Sequence, residues 1–192
     1  MNIFYLHQDA NECAIQHCDK HVVKMCTEYA QLLSTAHRVV DGDMYVTKSK
    51  NNRNIKKYSH PTLDDTLYLA CHVNHPSNIW VRESEANYNW LYNMWSNLAN
   101  EYNRRYGKDH ASYVKLSCIL ATPPKNISTT KTFTQPTPAM KKYPECVVSG
   151  DSLKSYRNFY WKDKRRFAVW TTRTEPQWWQ EKLKHATIGI SV

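Results

Sequence analysis

Residues 17–38 read HCDKHVVKMCTEYAQLLSTAHR. At 100° per residue, Cys18, Val22, Met25, Tyr29, Leu32, Leu33, Ala36 and, just beyond, Val40 fall on one side of a helix. That periodicity predicts a long helix over 11–40, stopped at Asp41-Gly42. His17, His21, Lys24, Glu28, Gln31, Thr35 and Arg38 form the opposite arc. Three readings of this arc stand side by side. It is a solvated face with a Lys24–Glu28 i,i+4 pair. Or His17 and His21 hold a metal with a third ligand from His7 or His75, although Cys18 stands where a metalloprotease helix carries Glu. Or it is one wall of an active site, joining a carboxylate, an amine and imidazoles.

The rest of the chain is punctuated clearly. MNIFYL is a short, apolar, extended lead-in. Residues 43–60 are polar and basic, with Lys48, Lys50, Arg53, Lys56 and Lys57, and predict a loop or weak hairpin. Thr62-Leu-Asp-Asp65 resembles a capping box opening a short helix to about residue 73. Pro76 breaks the chain. A second long helix is expected over 79–106, with Leu91, Met94, Trp95, Leu98 and Tyr102 at helical spacing and Gly107 at its end. A short helix over 111–120 precedes a Pro-, Thr- and Lys-rich irregular segment over 122–144. Asp151 caps a last helix to about residue 170. The expected fold is mostly α: one compact helical domain over 1–192 with long ordered loops.

With 26 Lys and Arg against 17 Asp and Glu, the net charge is +9. Such a surplus favours polyanions, nucleic acid first and anionic membrane second. No apolar run approaches a membrane span, so no membrane association is expected. The start lacks the pattern of a secretory signal, and the six cysteines include no C-x-x-C pair. Reduced thiols and a cytoplasmic location follow as expectations.

In order, MNIFYLH, DKHVVKMCTE and NHPSNIWVRESEANYNWLYNMWSNLANEYNRRYG resemble the pyrimidine-dimer DNA glycosylase family of the endonuclease V type. HCDKHVVKM and QLLSTAHR are also similar to segments of uncharacterised phage proteins, which would make the location the host cytoplasm. The resemblance covers about the first 110 residues as a helical core. The loop-rich remainder, 111–192, matches only through its basic-aromatic SYRNFYWKDKRRF. The resemblance implies a helical single domain that flips a nucleotide and cuts its glycosidic bond without metal or cofactor. It implies the Met1 α-amine as nucleophile and Glu28 as the catalytic carboxylate. Asn2 departs from the small residue that the phage enzyme exposes after losing its methionine, so Lys24 stands as the alternative amine.

The chemistry suits these residues. Breaking an N-glycosidic bond builds positive charge on the sugar, which a carboxylate stabilises. An amine attacking C1′ forms a Schiff base, and the carboxylate then removes a C2′ proton. An α-amine titrates nearer neutrality than a lysine, which ranks Met1 above Lys24. His17 and His21 are candidates to orient Glu28 or protonate the leaving base. Arg38, His75, Trp80 and Arg82 are candidate DNA contacts. So are Arg157, Tyr160, Lys164 and Arg165 in the basic-aromatic stripe. The leading expectation is a base-excision hydrolase or lyase for DNA repair, acting on a damaged or modified pyrimidine in a duplex. Alternatives are a non-catalytic nucleic-acid-binding phage protein acting on host DNA enzymes, and an N-glycosidic enzyme for nucleotides or RNA.

Overall fold

The computed structural model describes residues 1–188; the expectation of a single domain also takes in 189–192, which lie outside them. The described chain is mostly helical: α1 (Ala10–Ile15), α2 (Asp19–Val40), α3 (Pro76–Glu83), α4 (Glu85–Tyr106), α5 (Ala111–Leu120), α6 (Ser152–Phe159) and α7 (Gln177–Ile188). One hairpin, β1 (Asp43–Lys48) and β2 (Asn54–Ser59), pairs antiparallel from Asp43↔Ser59 to Lys48↔Asn54. No described helix is long and apolar enough to cross a membrane.

α2 is central, packed against α3, α4 and α5, while α1 lies on α4. Its expected apolar face is buried from Cys18 to Ala36, with Val40 at the margin. The Cys26 carbonyl accepts from Trp95 Nε1 of α4 at 2.8 Å and from Ser112 Oγ of α5 at 3.0 Å. A deep carbonyl is thereby satisfied while both helices are fixed on α2.

The expected helix over 11–40 is instead two helices with a break at 16–18. Distant groups take over the backbone bonds there. The Cys18 N–H donates to Tyr160 Oη and the Asp19 N–H to the Val169 carbonyl, both at 2.9 Å. Arg105 binds the Ile15 and His17 carbonyls, and Trp170 Nε1 binds that of Gln16. The second long helix also divides. Ser84 is extended, and its Oγ caps Asn87 N–H, while Glu85 N–H bonds the Ser128 carbonyl. Gly107 ends α4 in the left-handed conformation at φ 68°, as expected of a C-terminal glycine.

The expected helix over 62–73 is a set of turns. Asp64 accepts from His60 N–H and from Arg38, and so organises a turn rather than capping a helix. The helix expected over 151–170 keeps its Asp151 cap but passes into a π-helical segment, Tyr160–Lys164. α7 was not expected; Trp178 and Trp179 bury it against Tyr160, Trp161 and Trp170.

Candidate active site

The lead-in peptide carries Met1 onto α2. Ile3, Phe4, Tyr5 and Leu6 are buried. Phe4 N–H donates to Tyr29 Oη at 3.2 Å, and Arg157 Nε donates to the Leu6 carbonyl at 2.9 Å. Tyr29 is the neighbour of Glu28, so pinning Phe4 there brings Met1 to the carboxylate. The Met1 nitrogen lies 3.5 Å from Glu28 Oε2, and Lys24 Nζ lies 3.1 Å from Oε1. The Glu28 side chain is 16% exposed, that of Met1 6% and that of Lys24 67%, so the carboxylate is largely covered, with one amine enclosed beside it and one in water.

Residues 69–75 cross the next turns of α2. Cys71 N–H bonds Thr35 Oγ1 at 3.2 Å, and the Cys71 and Met1 sulfurs are 3.7 Å apart. His72 has φ 48°, an unusual backbone for a residue with a Cβ. Asn78 holds that turn by donating Nδ2–H to the Cys71 and His72 carbonyls at 2.8 and 3.0 Å. His75 caps α3, its Nδ1 accepting from Ser77 N–H. A ring accepting at Nδ1 carries its proton on Nε2, so the neutral imidazole offers an N–H. Burial, then the nearby Met1 amine and His72, lower the His75 pKa against the pull of Glu28. Glu28 thus meets two amines, and the His75 imidazole lies near enough to feel the charges of Met1 and Glu28. Cys71, His72 and Asn78 were not singled out from sequence; the Asn-His-Pro helix start was the available signal.

His17 and His21 belong to the core, contrary to expectation. His17 Nδ1 lies 2.7 Å from the Cys13 carbonyl and Nε2 2.8 Å from Tyr29 Oη, so both ring nitrogens are engaged. His21 stacks on Phe4 at 4.3 Å and meets Tyr160 and Phe167 edge-on. Neither is bonded to Glu28 among the described residues. Burial pushes the His17 pKa down to about 4, against the Cys13 carbonyl and with Arg105. Burial, His17, Lys164 and Lys24 push His21 down to about 2. Burial also lowers His37 to about 4, opposed by Asp41.

These rings make folding acid-sensitive. Each takes up a proton near 6.5 when unfolded but near 4 or below when folded, so the unfolded chain binds more protons in between. Stability is whole above 6.5 and falls as pH drops towards 4, by up to about 1.4 kcal/mol per pH unit for each ring. Thermal melts across that window are expected to show a steadily falling Tm; a flat Tm contradicts the neutral buried rings.

Several expected DNA contacts prove structural. Arg38 is 1% exposed and spends its guanidinium on Asp64 and on the Tyr58, Asp64, Leu67 and Tyr68 carbonyls. Trp80 is buried, with Nε1 on the Thr134 carbonyl, and Tyr160 is buried beneath α7. Arg157 is committed to Leu6 and lies over Trp178. Arg82 is half-buried, and Lys164 pairs with Asp163 at 2.6 Å. Arg165 is exposed, 4.5 Å from the Trp161 ring centre, and keeps a free face. The half-buried Trp90 and Phe133, with Tyr5, Gln8 and Gln135, line a notch of about 340 Å³.

The His17–His21 metal reading fails because both His17 nitrogens are committed. A different trio, His37, Asp41 and His60, brings ligand atoms within 4.8 Å of one another. Its donors do not suit a cation. His60 Nδ1 accepts from Thr62 and Leu63 N–H, leaving its proton on Nε2, where a metal would need the lone pair. Asp41 accepts Lys125 N–H at 2.7 Å and Asn126 N–H at 2.9 Å, and His37 Nε2 is bonded to Tyr88 Oη. Asp41 thereby latches the end of α2 to residues 125–126. Comparison with known proteins finds no match: no family model fits the chain, and no curated protein and no solved structure matches it.

Proposed function

We propose that this chain is a DNA N-glycosylase-like enzyme that excises a damaged or modified pyrimidine from duplex DNA. The observation that carries the reading is the Met1 nitrogen 3.5 Å from Glu28 on a helix that also brings Lys24 to the same carboxylate. The net charge of +9 and the ordered sequence resemblance add to it. In its neutral form the Met1 amine attacks C1′ of an extruded nucleotide. The bond from C1′ to the base breaks, and the base leaves with its electron pair and gains a proton, for which the His75 Nε2–H is the nearby donor. Glu28 stabilises the positive sugar. The amine then passes a proton to the ring oxygen O4′, the C1′–O4′ bond breaks and the protonated Schiff base forms; Glu28 takes the C2′ proton, C2′=C3′ forms and the 3′ phosphate leaves with the C3′–O electron pair. Lys24, largely in water, is the alternative nucleophile.

Borohydride reduction during incubation with duplexes carrying dimers or modified pyrimidines is expected to trap a covalent adduct. A short N-terminal extension, which turns the α-amine into an amide, removes the adduct if Met1 attacks. Persistence with the extension and loss in Lys24→Arg assigns Lys24 instead. No adduct and no abasic product across the panel overturns the reading.

One observation favours a second reading, non-catalytic DNA binding: Glu28 is already neutralised by two amines, while the cations of residues 48–57, without ion pairs among the described residues, stand elsewhere. That reading expects salt-sensitive duplex binding without base release, unaffected by Glu28→Gln.

A further inference from the structure

The β1–β2 hairpin is a ribbon that buries little of either face. Met44 and Val46 on one face are 48% and 57% exposed; Tyr45 and Ile55 on the other are 47% and 37% exposed. A two-stranded hairpin is marginal alone in water, so such a ribbon is expected to serve a partner. Five exposed cations, Lys48, Lys50, Arg53, Lys56 and Lys57, face a single carboxylate, Asp43, between residues 43 and 59. None of the five is ion-paired among the described residues.

The ribbon is held in a fixed attitude. At its root, Arg38 Nη1 donates to the Tyr58 carbonyl at 2.9 Å while Arg38 Nε holds the Tyr68 carbonyl. Gly42 sits where any Cβ would strike the Ser59 and Arg38 carbonyl oxygens, so the strand leaves α2 through a passage that takes only glycine. At its tip, Ser49 N–H bonds the Arg53 carbonyl at 2.8 Å and Asn52 adopts φ 57°, closing the loop that carries Lys50. The two six-residue strands reach about 20 Å. Arg38 lies ten positions along α2 from Glu28, a rise of about 15 Å, less than one turn of a duplex.

We propose that this ribbon is a duplex-gripping arm that lies in the major groove beside the nucleotide presented to Glu28. The proposal rests on the reading that the substrate is duplex DNA. A major groove about 12 Å wide admits a two-stranded ribbon. The five cations meet phosphates along its edges, and the exposed apolar side chains meet base edges and thymine methyls. The charge selects a polyanion over a protein surface, and the rigid root and twisted two-strand form select a groove over a flat membrane.

The test measures affinity of the full chain for an undamaged duplex between about 50 and 200 mM salt. The comparison is with a variant carrying Lys48→Gln, Lys50→Gln, Arg53→Gln, Lys56→Gln and Lys57→Gln. All five positions are exposed, and circular dichroism checks that the fold is kept. The slope of log affinity against log salt is expected to shrink by about 4 to 5, near 0.9 for each phosphate no longer neutralised. A control removes the same charge elsewhere through Arg104→Gln, Lys141→Gln, Lys142→Gln, Lys154→Gln and Lys162→Gln. An equal loss in the control, or an unchanged slope in the ribbon variant, overturns the proposal. So does loss of binding to anionic phospholipid vesicles with duplex binding intact. Adduct trapping on both proteins separates the two ideas: the ribbon effect can stand where no adduct forms, and an adduct can form where the ribbon has no effect.

Discussion

Glu28→Gln is expected to lower single-turnover base release by about 10²- to 10³-fold while leaving duplex affinity within a few-fold. The substitution keeps size and shape and removes the charge. Positioned charge stabilisation contributes about 10² to 10³ in rate, and a general base about 10² to 10⁴. One carboxylate is assigned both tasks here, first against the positive sugar and then at C2′. The two losses fall on successive steps, so only the first enters base release and the second shows in the later strand cleavage. The pair with Lys24, which is 67% exposed, is worth less than about 1 kcal/mol, and the enclosed Met1 amine, 3.5 Å from the carboxylate, adds to the loss, so a modest fall in stability is expected. A folded Glu28→Gln protein that releases base at the parental rate would remove Glu28 from the chemistry.

The sequence patterns that survived folding are those set by local periodicity. The α2 core face, the Gly107 stop, the Asp151 cap and the irregular 122–144 segment all follow from side chains acting on their own few neighbours. The breaks at 16–18 and 84 do not. Their backbone groups are claimed by Tyr160, Val169, Trp170, Arg105 and Ser128, partners up to 154 residues away that no local window contains. The polar arc of α2 shows the same limit. His17 and Arg38 read as solvated or reactive because their types are polar, yet each is buried against carbonyls supplied by other segments. Of that arc, Lys24 and Glu28 keep the exposure that chemistry needs. The Met1–Glu28 approach had a sequence signal in the resemblance of the lead-in and first helix. His75 had one as a helix start, but its place beside Met1 depends on the turn that Asn78 holds. The segment carrying the hairpin cations reads as a loop or a weak hairpin, and the hairpin is what forms; six residues of weak alternation leave the two open.

Arg105→Met is expected to cost about 3 to 5 kcal/mol, the range for removing one member of a buried ionic cluster. The Arg105 side chain is 1% exposed. It donates to Glu101 at 2.8 Å, to Asp19 at 2.9 Å, and to the His17 and Ile15 carbonyls, both at 3.0 Å. Glu101 also takes two bonds from Arg173, and Asp19 takes the Thr171 N–H and hydroxyl. One guanidinium thus ties the end of α1, the start of α2, the end of α4 and residues 171–173. Methionine fills the space but leaves two carbonyls and part of two carboxylates without donors. Lysine keeps the charge but not the fork that reaches four acceptors, so Arg105→Lys is expected to recover only part of the loss. At about 2 to 4 °C per kcal/mol for a chain of this size, Tm for Arg105→Met falls by roughly 10 °C. The pH dependence gives a second mark. Burial alone would raise the Glu101 carboxyl, but Arg173 and Arg105 hold it below its usual 4.5; burial likewise opposes Asp19, which Thr171 and Arg105 hold below 3.8. Both depressed carboxyls add stability above their usual values that is lost as pH falls through the folded ones. In Arg105→Met that part shrinks, so the gap in Tm between parent and variant is expected to narrow below pH 4.5. A gap that is small at neutral pH, or that widens in acid, would mean that the break at 16–18 is held by Tyr160 and Trp170 rather than by charge.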